Sequence, residues 1–428
     1  MGQCYAKRVL HARDAVEVRI LRRMRLVPYF LDAFPRSRRP EYPRHRGDIR
    51  TRVVIVGGGL TGCACAASFA ASGIDVVLVE GDRVGAGATA ASAGLVRQDL
   101  DASFQESASL HGLRTARHVW QGFRRAALDF GAAIRRFGIR ADLGPQDLLY
   151  LTRDGADATR RLQREYQARK DAGVDATWLS ARAVAAESGL AAGGAIRTKG
   201  DVLDPYRACV GLAANAASRG AKLHERTEVK RILAGRKAVQ VVTDGGSISA
   251  EAVVVATGGL PDDLRALRRH FTPSVSYAVV TESLPAAVRR ETGKRTAALR
   301  DTAAPPHVLR WMKEERVLFS GGQAPLAAAR VREKAVVPQV NELMYELTTL
   351  FPAISGLQPE WGWDFVQYAS PDGLPVVGPH RNFPRHFFAL GHGRHGTAVA
   401  WLAARVLLRA YLGEPAKGDE SFGFARIL

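Results

Sequence analysis

The feature that most constrains this chain is an apolar strand that runs directly into a glycine-rich turn. Residues 53–56 read Val-Val-Ile-Val, and Gly57 opens the sequence Gly-Gly-Gly-Leu-Thr-Gly, which leads into a helix of small residues ending at Gly73. A second apolar run, residues 74–79, ends at Glu80. An unbroken β-branched run is typical of a strand buried on both faces of a parallel sheet. The segment therefore predicts the βαβ unit of a doubly wound α/β fold.

The glycine spacing in this unit is that of a dinucleotide site. Gly57 makes the tight turn, Gly59 lets the backbone approach a pyrophosphate, and Gly62 allows the helix to pack closely on the strand. Glu80 lies roughly 20 residues beyond the turn, where an acid accepts hydrogen bonds from the adenosine ribose. This context predicts a bound dinucleotide but does not by itself separate NAD from FAD.

A long stretch of glycine, alanine and hydroxyl residues follows Glu80. Residues 85–95 read Gly-Ala-Gly-Ala-Thr-Ala-Ala-Ser-Ala-Gly-Leu, with Thr89 and Ser92 offering short donors to phosphate. Loops of this length in compact domains are usually functional. The stretch predicts a backbone that wraps around the dinucleotide.

Later segments repeat the alternation of apolar strands and glycine turns. They are 200–205 (GDVLDP), 220–229 (GAKLHERTEV), 253–259 (VVVATGG), 372–378 (DGLPVVG) and 391–397 (GHGRHGT). Together with the first unit they resemble the FAD-dependent D-amino acid oxidase (DAO) superfamily, which includes glycine and sarcosine oxidases, γ-glutamylputrescine oxidase and enzymes that oxidise glycerol 3-phosphate. The resemblance covers residues 50–428. The last segment also follows G-x-G-x-x-G literally, but no strand with a terminal acid comes after it, so a second nucleotide site is disfavoured.

The resemblance implies that FAD is held by the first turn, the loop after Glu80 and the later glycine turns, with Val229 touching adenine through its backbone and the last turn facing the flavin. The implied FAD contacts are Gly57, Gly59, Leu60, Thr61, Gly62, Glu80, Thr89, Ala90, Ser92, Ala93, Gly94, Leu95, Val229, Thr257, Gly258, Gly391, His392, Gly393, Gly396 and Thr397. We expect the FAD to be bound non-covalently, because Cys209 lies in a predicted helix remote from these loops.

The expected fold is α/β, with a Rossmann-like FAD-binding domain made of discontinuous segments and an α+β substrate domain with a mainly antiparallel sheet. The predicted FAD-binding segments are 50–110, 200–270 and 365–428. The predicted substrate domain comprises 111–199 and 271–364, and a basic N-terminal extension comprises 1–49.

The chemistry implied by the resemblance is hydride transfer from an amine or N-substituted amino compound to flavin N5, with reoxidation by oxygen. Such a reaction requires no protein acid or base when the amine arrives neutral. The alternatives are a flavin dehydrogenase that passes electrons to quinone or a carrier protein, a nicotinamide-dependent dehydrogenase, and a flavin-binding protein without turnover.

The usual carboxylate anchors of the resembling enzymes are missing here. Where glycine oxidase-like members have an arginine, alignment by eye places Gln367, and where sarcosine oxidase-like members have a lysine it places a residue near Ala398. Arg394 and Arg97 are the remaining candidates to bind substrate, because a guanidinium can pair bidentately with a carboxylate. His395 is a candidate to stabilise charge on the reduced flavin or to assist oxygen reduction.

The net charge of +19 could suggest a nucleic-acid partner, but the excess is concentrated before residue 53 and no nucleic-acid motif accompanies it. A basic amphipathic helix over 6–34 is one interpretation of the extension, and a solvated or partly ordered leader is the simpler one. The four cysteines do not suit a disulfide framework. No transmembrane segment, signal peptide or metal-ligand spacing is apparent, so we expect a cytoplasmic protein without metal.

Overall fold

The computed structural model describes residues 24–235, 237–394 and 396–427. The helices of this part of the chain are α1 Tyr29–Asp32, α2 Leu60–Ala71, α3 Ala88–Ala91, α4 Phe104–Arg136, α5 Gly155–Asp171, α6 Ala181–Ser188, α7 Pro205–Ala217, α8 Ala286–Glu291, α9 Ala329–Leu350 and α10 Gly396–Leu412. Short 3-10 helices are found at Arg36–Arg38, Asp262–His270, Lys313–Glu315, Pro352–Ile354, Asp419–Phe422 and Phe424–Arg426.

The strands fall into three sheets. They are β1 Gly47–Val56, β2 Val76–Val79, β3 Leu95–Arg97, β4 Gly144–Pro145, β5 Asp147–Thr152, β6 Thr177–Ser180, β7 Gly194–Thr198, β8 Gly200–Val202, β9 Lys222–His224, β10 Val229–Ala234, β11 Val239–Thr243, β12 Gly246–Gly258, β13 Thr272–Thr281, β14 Ala297–Asp301, β15 Val308–Trp311, β16 Val317–Pro325, β17 Pro359–Ala369, β18 Val376–His380 and β19 Phe383–Leu390.

The first sheet contains the predicted βαβ unit. Its order is β10-β11-β12-β1-β2-β9, with β19 paired to β12 and β18 paired to β19. The pairs β12–β1, β1–β2, β2–β9 and β12–β19 are parallel. Alternate residues of β1 enter two different cores: Val53 and Ile55 pack with α2, while Val54 and Val56 pack on the opposite face. This two-sided burial is why the strand is apolar without interruption.

The second sheet is mainly antiparallel, as predicted. Its order is β17-β13-β16-β15-β14-β5-β7-β6, and of its pairs only β14–β5 is parallel within the described residues. Helix α9 covers one face of it with Val336, Val340, Leu343 and Leu347. The third sheet is a small one, β3-β8-β4, which brings the end of the glycine-rich loop beside residues 200–202.

Helix α4 runs across residue 110, where the sequence predicts a domain boundary. Its buried face packs in the same core as α2 and α10, and a break at Gly112 (φ +79°) divides it near its start. The division of the chain into FAD-binding and substrate segments stays a prediction.

Residues 24–34 of the extension pack against the rest of the protein, so solvation is wrong for them, whereas most of residues 35–49 are exposed. Met24 is buried in the core of the second sheet, and Arg25 forms a parallel bridge with Trp361. Phe30 packs beside the glycine-rich loop in a cluster with Trp361. Composition alone suggested solvation, but apolar residues of this segment, such as Met24 and Phe30, pack against the second sheet.

The helix predicted over residues 6–34 is also wrong within the described part of the chain, where only Tyr29–Asp32 is helical in that range. Pro28 is extended (φ −57°, ψ 131°), and a proline biases the residue before it away from helix. Residues 1–23 of that prediction lie outside the described residues. None of the described helices is long and apolar enough to cross a membrane.

Candidate active site

A cleft lies between the first and second sheets and encloses about 1560 Å³ with its open mouth included. Seventeen predicted site residues line it, namely Gly57, Gly59, Leu60, Thr61, Glu80, Thr89, Ser92, Ala93, Leu95, Arg97, Thr257, Gly258, His392, Gly393, Arg394, Gly396 and Thr397. The structure thus brings together residues that are more than 300 positions apart in the sequence.

The glycine turn at one end of the cleft has the backbone geometry that its sequence predicts. Gly57 has φ +109°, a conformation that side chains other than glycine rarely adopt. A Cβ on Gly62 would come within 1.8 Å of the Gly57 carbonyl oxygen, so helix α2 can approach the strand this closely only with glycine there. Gly59, Leu60 and Thr61 line the cleft, so the N-terminus of α2, which favours an anion, borders it.

Glu80 closes this end of the cleft. Its carboxylate accepts hydrogen bonds from the Gly58 N–H (2.6 Å) and the Asp82 N–H (2.9 Å). Burial raises the pKa of Glu80, and the two backbone donors oppose that shift. The carboxylate is thus fixed in orientation by the backbone on both sides and still lines the cleft.

The loop over residues 85–95 contains the short helix α3 and is braced from outside. The Leu60 N–H donates to Thr89 Oγ1 (2.9 Å), and Trp363 Nε1 donates to the Ala91 carbonyl (3.1 Å). On its far side Arg310 donates to the carbonyls of Ala93 (2.6 Å) and Leu203 (2.8 Å). Burial lowers the pKa of Arg310 to about 10. The loop is therefore held in place by side chains of the second sheet.

Some predicted FAD contacts lie outside the lining of the cleft, namely Gly62, Ala90, Gly94, Val229 and Gly391. Gly62 and Gly94 serve close packing instead: a Cβ on Gly94 would come within 2.3 Å of the Leu203 carbonyl oxygen. Gly391 (φ +65°) turns against Phe271, whose ring would lie 2.6 Å from a Cβ there. His395 lies outside the described residues.

Arg97 lines the cleft but is already paired with carboxylates. Its Nε donates to Asp99 (2.9 Å) and its Nη1 donates to Asp101 (2.7 Å), and its side chain is only 8% exposed. Desolvation alone would lower the pKa of Arg97, but the two carboxylates outweigh it and raise the pKa instead. Arg169 and Arg300 extend the network, with Arg169 Nη1 3.8 Å from Asp99 and Arg300 Nη2 3.4 Å from Asp101.

Arg394 lines the same cleft in a different electrostatic setting. Its Nη1 donates to the Pro306 carbonyl (2.7 Å) and its Nη2 donates to Ser276 Oγ (3.4 Å), both of which are neutral. Burial lowers the pKa of Arg394. The charges of Arg300 and Arg97 act in the same direction, whereas those of Asp101 and Asp301 oppose it. A half-buried cation with neutral partners favours an anionic ligand.

Sequence reasoning missed most of the wall that the second sheet contributes. The lining residues on this sheet that were not predicted are Ser276, Val308, Ser320, Gly321, Phe365, Val366, Gln367 and Tyr368. Elsewhere, the lining residues not predicted are Arg83, Gly85, Gly87, Ala88, Pro205 and Ala256. Gln367, which alignment marked as a departure, donates from Nε2 to Ser276 Oγ (2.9 Å). The residues of this wall come from four different strands, and no local spacing connects them.

The expected remoteness of Cys209 is wrong. Helix α7 packs on α2, so Cys209 Sγ lies 3.5 Å from the Gly58 carbonyl oxygen and 3.6 Å from Cys63 Sγ, fully buried behind the glycine turn. The contact with Cys209, together with burial, raises the pKa of the Cys63 thiol. Both cysteines act here as small packing residues, since neither lines the cleft.

The residues present fit FAD. The glycine turn, the N-terminus of α2 and the fixed carboxylate of Glu80 form a dinucleotide cradle, and the cleft continues from it to the second sheet. The fold and site thus define a dinucleotide-dependent oxidoreductase with two sheets facing one cleft.

Comparison with known proteins identifies the family. The family described as "DAO: FAD dependent oxidoreductase" matches residues 52–410, and the chain belongs to it. It is therefore an FAD-dependent oxidoreductase. The chain is 30% identical to glycine oxidase of Geobacillus kaustophilus over 373 residues, which cover 85% of this chain and 92% of that enzyme.

Two further comparisons cover a similar share of this chain. The chain is 25% identical to the gamma-glutamylputrescine oxidoreductase of Escherichia coli over 374 residues, covering 86% of this chain and 85% of that protein. The crystal structure of the Geobacillus glycine oxidase superposes with a TM-score of 0.72 at 23% identity, covering 88% of this chain and 97% of that one. This superposition shows the same fold.

Proposed function

We propose that this flavoprotein oxidises an amino compound that carries a carboxylate, removing hydrogen from the carbon next to nitrogen, with oxygen as the final electron acceptor. The observation that carries the proposal is Arg394, a cation on the cleft wall whose hydrogen-bond partners among the described residues are a carbonyl and a hydroxyl. The glycine oxidase to which the chain is similar is named as an oxidase, which supports oxygen as the acceptor.

The balance of charges around the cleft supports one anionic group on the substrate. An ion-pair network that begins at the end of β3 contains equal numbers of arginines and carboxylates. Its members are Arg97, Arg169 and Arg300 with Asp99, Asp101 and Glu165. Asp101 also raises the pKa of Arg394, but it is shared with Arg97 and Arg300, and neither described hydrogen-bond partner of Arg394 is a carboxylate. A single substrate carboxylate on Arg394 would complete the balance with a charge-assisted hydrogen bond.

The same lining argues against a cationic polyamine as substrate. Among the described lining residues, Glu80 is the only carboxylate, and it lies at the dinucleotide end of the cleft. An ammonium group at the other end would meet no compensating charge there, and a buried unpaired charge is costly. The nitrogen of the substrate is therefore expected to bind neutral.

When bound, FAD supplies the acceptor for hydride at its N5 atom. The residues of this chain bind and orient the substrate. Arg394 would hold the carboxylate, while Val308, Phe365 and Val366 form an apolar wall that excludes water from the reacting carbon. His392, whose Nδ1 lies 3.4 Å from Thr61 Oγ1, and the N-terminus of α10 would face the flavin.

We also propose that FAD is held without a covalent bond. The described lining contains no cysteine, and Cys209 is enclosed by the packing of α7 on α2. Acid precipitation should therefore leave the yellow colour in the supernatant, whereas colour in the pellet would contradict this part of the proposal.

The function is tested by anaerobic mixing of the purified yellow protein with matched sets of amino acids, N-substituted amino acids and diamines. We expect the visible absorption of the oxidised flavin to be lost with amino monocarboxylates and to persist with diamines of the same length. Release of hydrogen peroxide on readmission of air tests the acceptor. Bleaching by diamines alone would overturn the role given to Arg394, and bleaching without peroxide would point to a dehydrogenase.

A further inference from the structure

The side-chain amide of Gln367 has one orientation that satisfies its neighbours. Gln367 lies on β17, lines the cleft and is 9% exposed. Ser276 Oγ donates its only proton to the Gly322 carbonyl (3.1 Å), so it can only accept from other groups. It accepts from Gln367 Nε2 (2.9 Å) and from Arg394 Nη2 (3.4 Å). The amide nitrogen of Gln367 must therefore face Ser276, which fixes the position of its oxygen.

The amide oxygen fixed in this way has no hydrogen-bond partner among the described residues. Gln367 Oε1 is buried, and a buried carbonyl oxygen that accepts nothing is unfavourable. One hydroxyl, that of Ser276, joins Gln367 to Arg394, so the unfilled acceptor and a cation with neutral hydrogen-bond partners belong to one cluster of cleft-lining residues. A ligand that satisfied both groups would carry an N–H donor close to a carboxylate.

We infer that Gln367 determines specificity by accepting an N–H hydrogen bond from the nitrogen of a substrate whose carboxylate is held by Arg394. This inference rests on the proposed function and narrows its substrate class to amino monocarboxylates that retain an N–H, namely primary and secondary amino acids. A glutamine side chain cannot make the bidentate carboxylate contact of an arginine at this position. With glutamine where the resembling enzymes have arginine, this position of the cleft wall offers an acceptor to the substrate nitrogen instead of a guanidinium to an anion.

A pair of ring carboxylates tests the N–H contact directly. Pyrrole-2-carboxylate and furan-2-carboxylate have the same shape and charge, but the ring atom next to the carboxylate-bearing carbon is N–H in one and oxygen in the other. Each is titrated into the FAD-loaded protein, and its Kd is read from the change in the visible absorption spectrum. We expect the pyrrole to bind at least tenfold more tightly, because the furan leaves Gln367 Oε1 unpaired and opposes it with an oxygen lone pair.

The variant Gln367→Met keeps the length of the side chain and removes the acceptor. We expect it to bind the two ligands with Kd values within about twofold of each other. The matched control is Gln323→Met, which changes an exposed glutamine on β16 and should preserve the preference of the wild-type protein. The wild-type comparison needs no variant, so it decides the inference even if Gln367→Met does not fold.

Equal affinities in the wild-type protein, or a preference that survives in Gln367→Met, would overturn the inference. Neither result touches the proposed function, which depends on bleaching of the flavin by amino monocarboxylates. Conversely, a protein that no amino compound bleaches would lose the proposed function, while the two ring ligands would still report whether Gln367 accepts an N–H.

Discussion

The two ends of the cleft are built by different means. At the dinucleotide end, the shape depends on backbone geometry: Gly57 adopts φ +109°, Gly62 leaves room for a carbonyl, and Glu80 is held by two N–H groups. At the substrate end, the shape depends on side chains from separate strands, as in the contact of Ser276 with Gln367. The first end tolerates little change in sequence, whereas the second can change specificity without changing the fold.

The strongest test of the backbone end is Gly62→Ala. The added Cβ would lie 1.8 Å from the Gly57 carbonyl oxygen, so α2 must move away from the turn and its N-terminal amides must leave the phosphate site. We expect at least a tenfold loss of bound FAD, measured as the ratio of flavin to protein absorbance after purification.

Gly81→Ala is the matched control for this variant. Gly81 lies just after Glu80, and a Cβ there would have no atom within 4 Å. It should retain the full content of FAD. If Gly62→Ala bound FAD as well as Gly81→Ala does, close approach of α2 would not be the basis of the dinucleotide site.

Arg97→Met tests whether Arg97, which lines the cleft, stabilises the fold rather than binding the substrate. Its removal takes the nearest cation from the buried carboxylate of Asp99 and from the half-buried carboxylate of Asp101. We expect the free energy of unfolding to fall by about 3 kcal/mol, the range for breaking a buried ion pair. Urea denaturation monitored by circular dichroism gives this value, with the exposed Arg125→Met as control. A protein of unchanged stability but raised KM would instead make Arg97 a substrate ligand.

Arg394→Met should have the opposite pattern. Because the described partners of Arg394 are neutral, its removal strands no carboxylate, and we expect the free energy of unfolding to change by less than about 1 kcal/mol. The KM for an amino monocarboxylate should rise on the order of 100-fold, the range for truncating a buried charged contact. Steady-state kinetics of the FAD-loaded protein measure it, with Arg381→Met in the exposed β18–β19 turn as control. A fall in kcat alone would exclude a role in binding the carboxylate.

The sequence predicts the two ends of the cleft to different extents: local patterns predict the dinucleotide end better than the substrate end. The βαβ unit and the glycine turn inside it were predictable because they follow from local periodicity and a local motif. Arg97 and Arg394 were given equal weight as substrate ligands in the sequence. Asp99 and Asp101 lie two and four residues after Arg97, but only the fold shows that both carboxylates turn back to pair with it.

The errors have tertiary causes. Cys209 was placed far from the dinucleotide turn because its helix is distant in sequence, but the packing of α7 on α2 brings the two together. The extension was taken as solvated or partly ordered from its charge, yet Met24 and Phe30 within it are core residues. Ser276 and Gln367 come together through the register of β13 against β17, where Ser274 lies opposite Gln367, and a single sequence does not specify this register.

The smallest expected effect concerns His307, which directly precedes strand β15 of the second sheet and contacts Glu346 on helix α9. His307 Nδ1 lies 2.6 Å from Asp301 and its Nε2 lies 3.1 Å from Glu346, and these carboxylates raise the pKa of His307, the hydrogen bond to Asp301 being the main cause. A pKa that is higher in the folded than in the unfolded protein stabilises the fold fully below the unfolded value. That stabilisation is lost as pH rises through the folded pKa.

We therefore compare the wild-type protein with His307→Gln between about pH 5 and pH 9, a range that begins well below the ordinary pKa of a histidine and extends above it. The difference in their free energies of unfolding should be on the order of 1 kcal/mol at the acidic end and should shrink as pH rises, because only the protonated imidazole donates to both carboxylates. Urea denaturation at each pH measures it, with His118→Gln on α4 as a control outside the cluster. A difference that stayed constant or grew with pH would mean that His307 acts here through packing on Phe319, against which its ring is stacked at 5.4 Å, rather than through its charge.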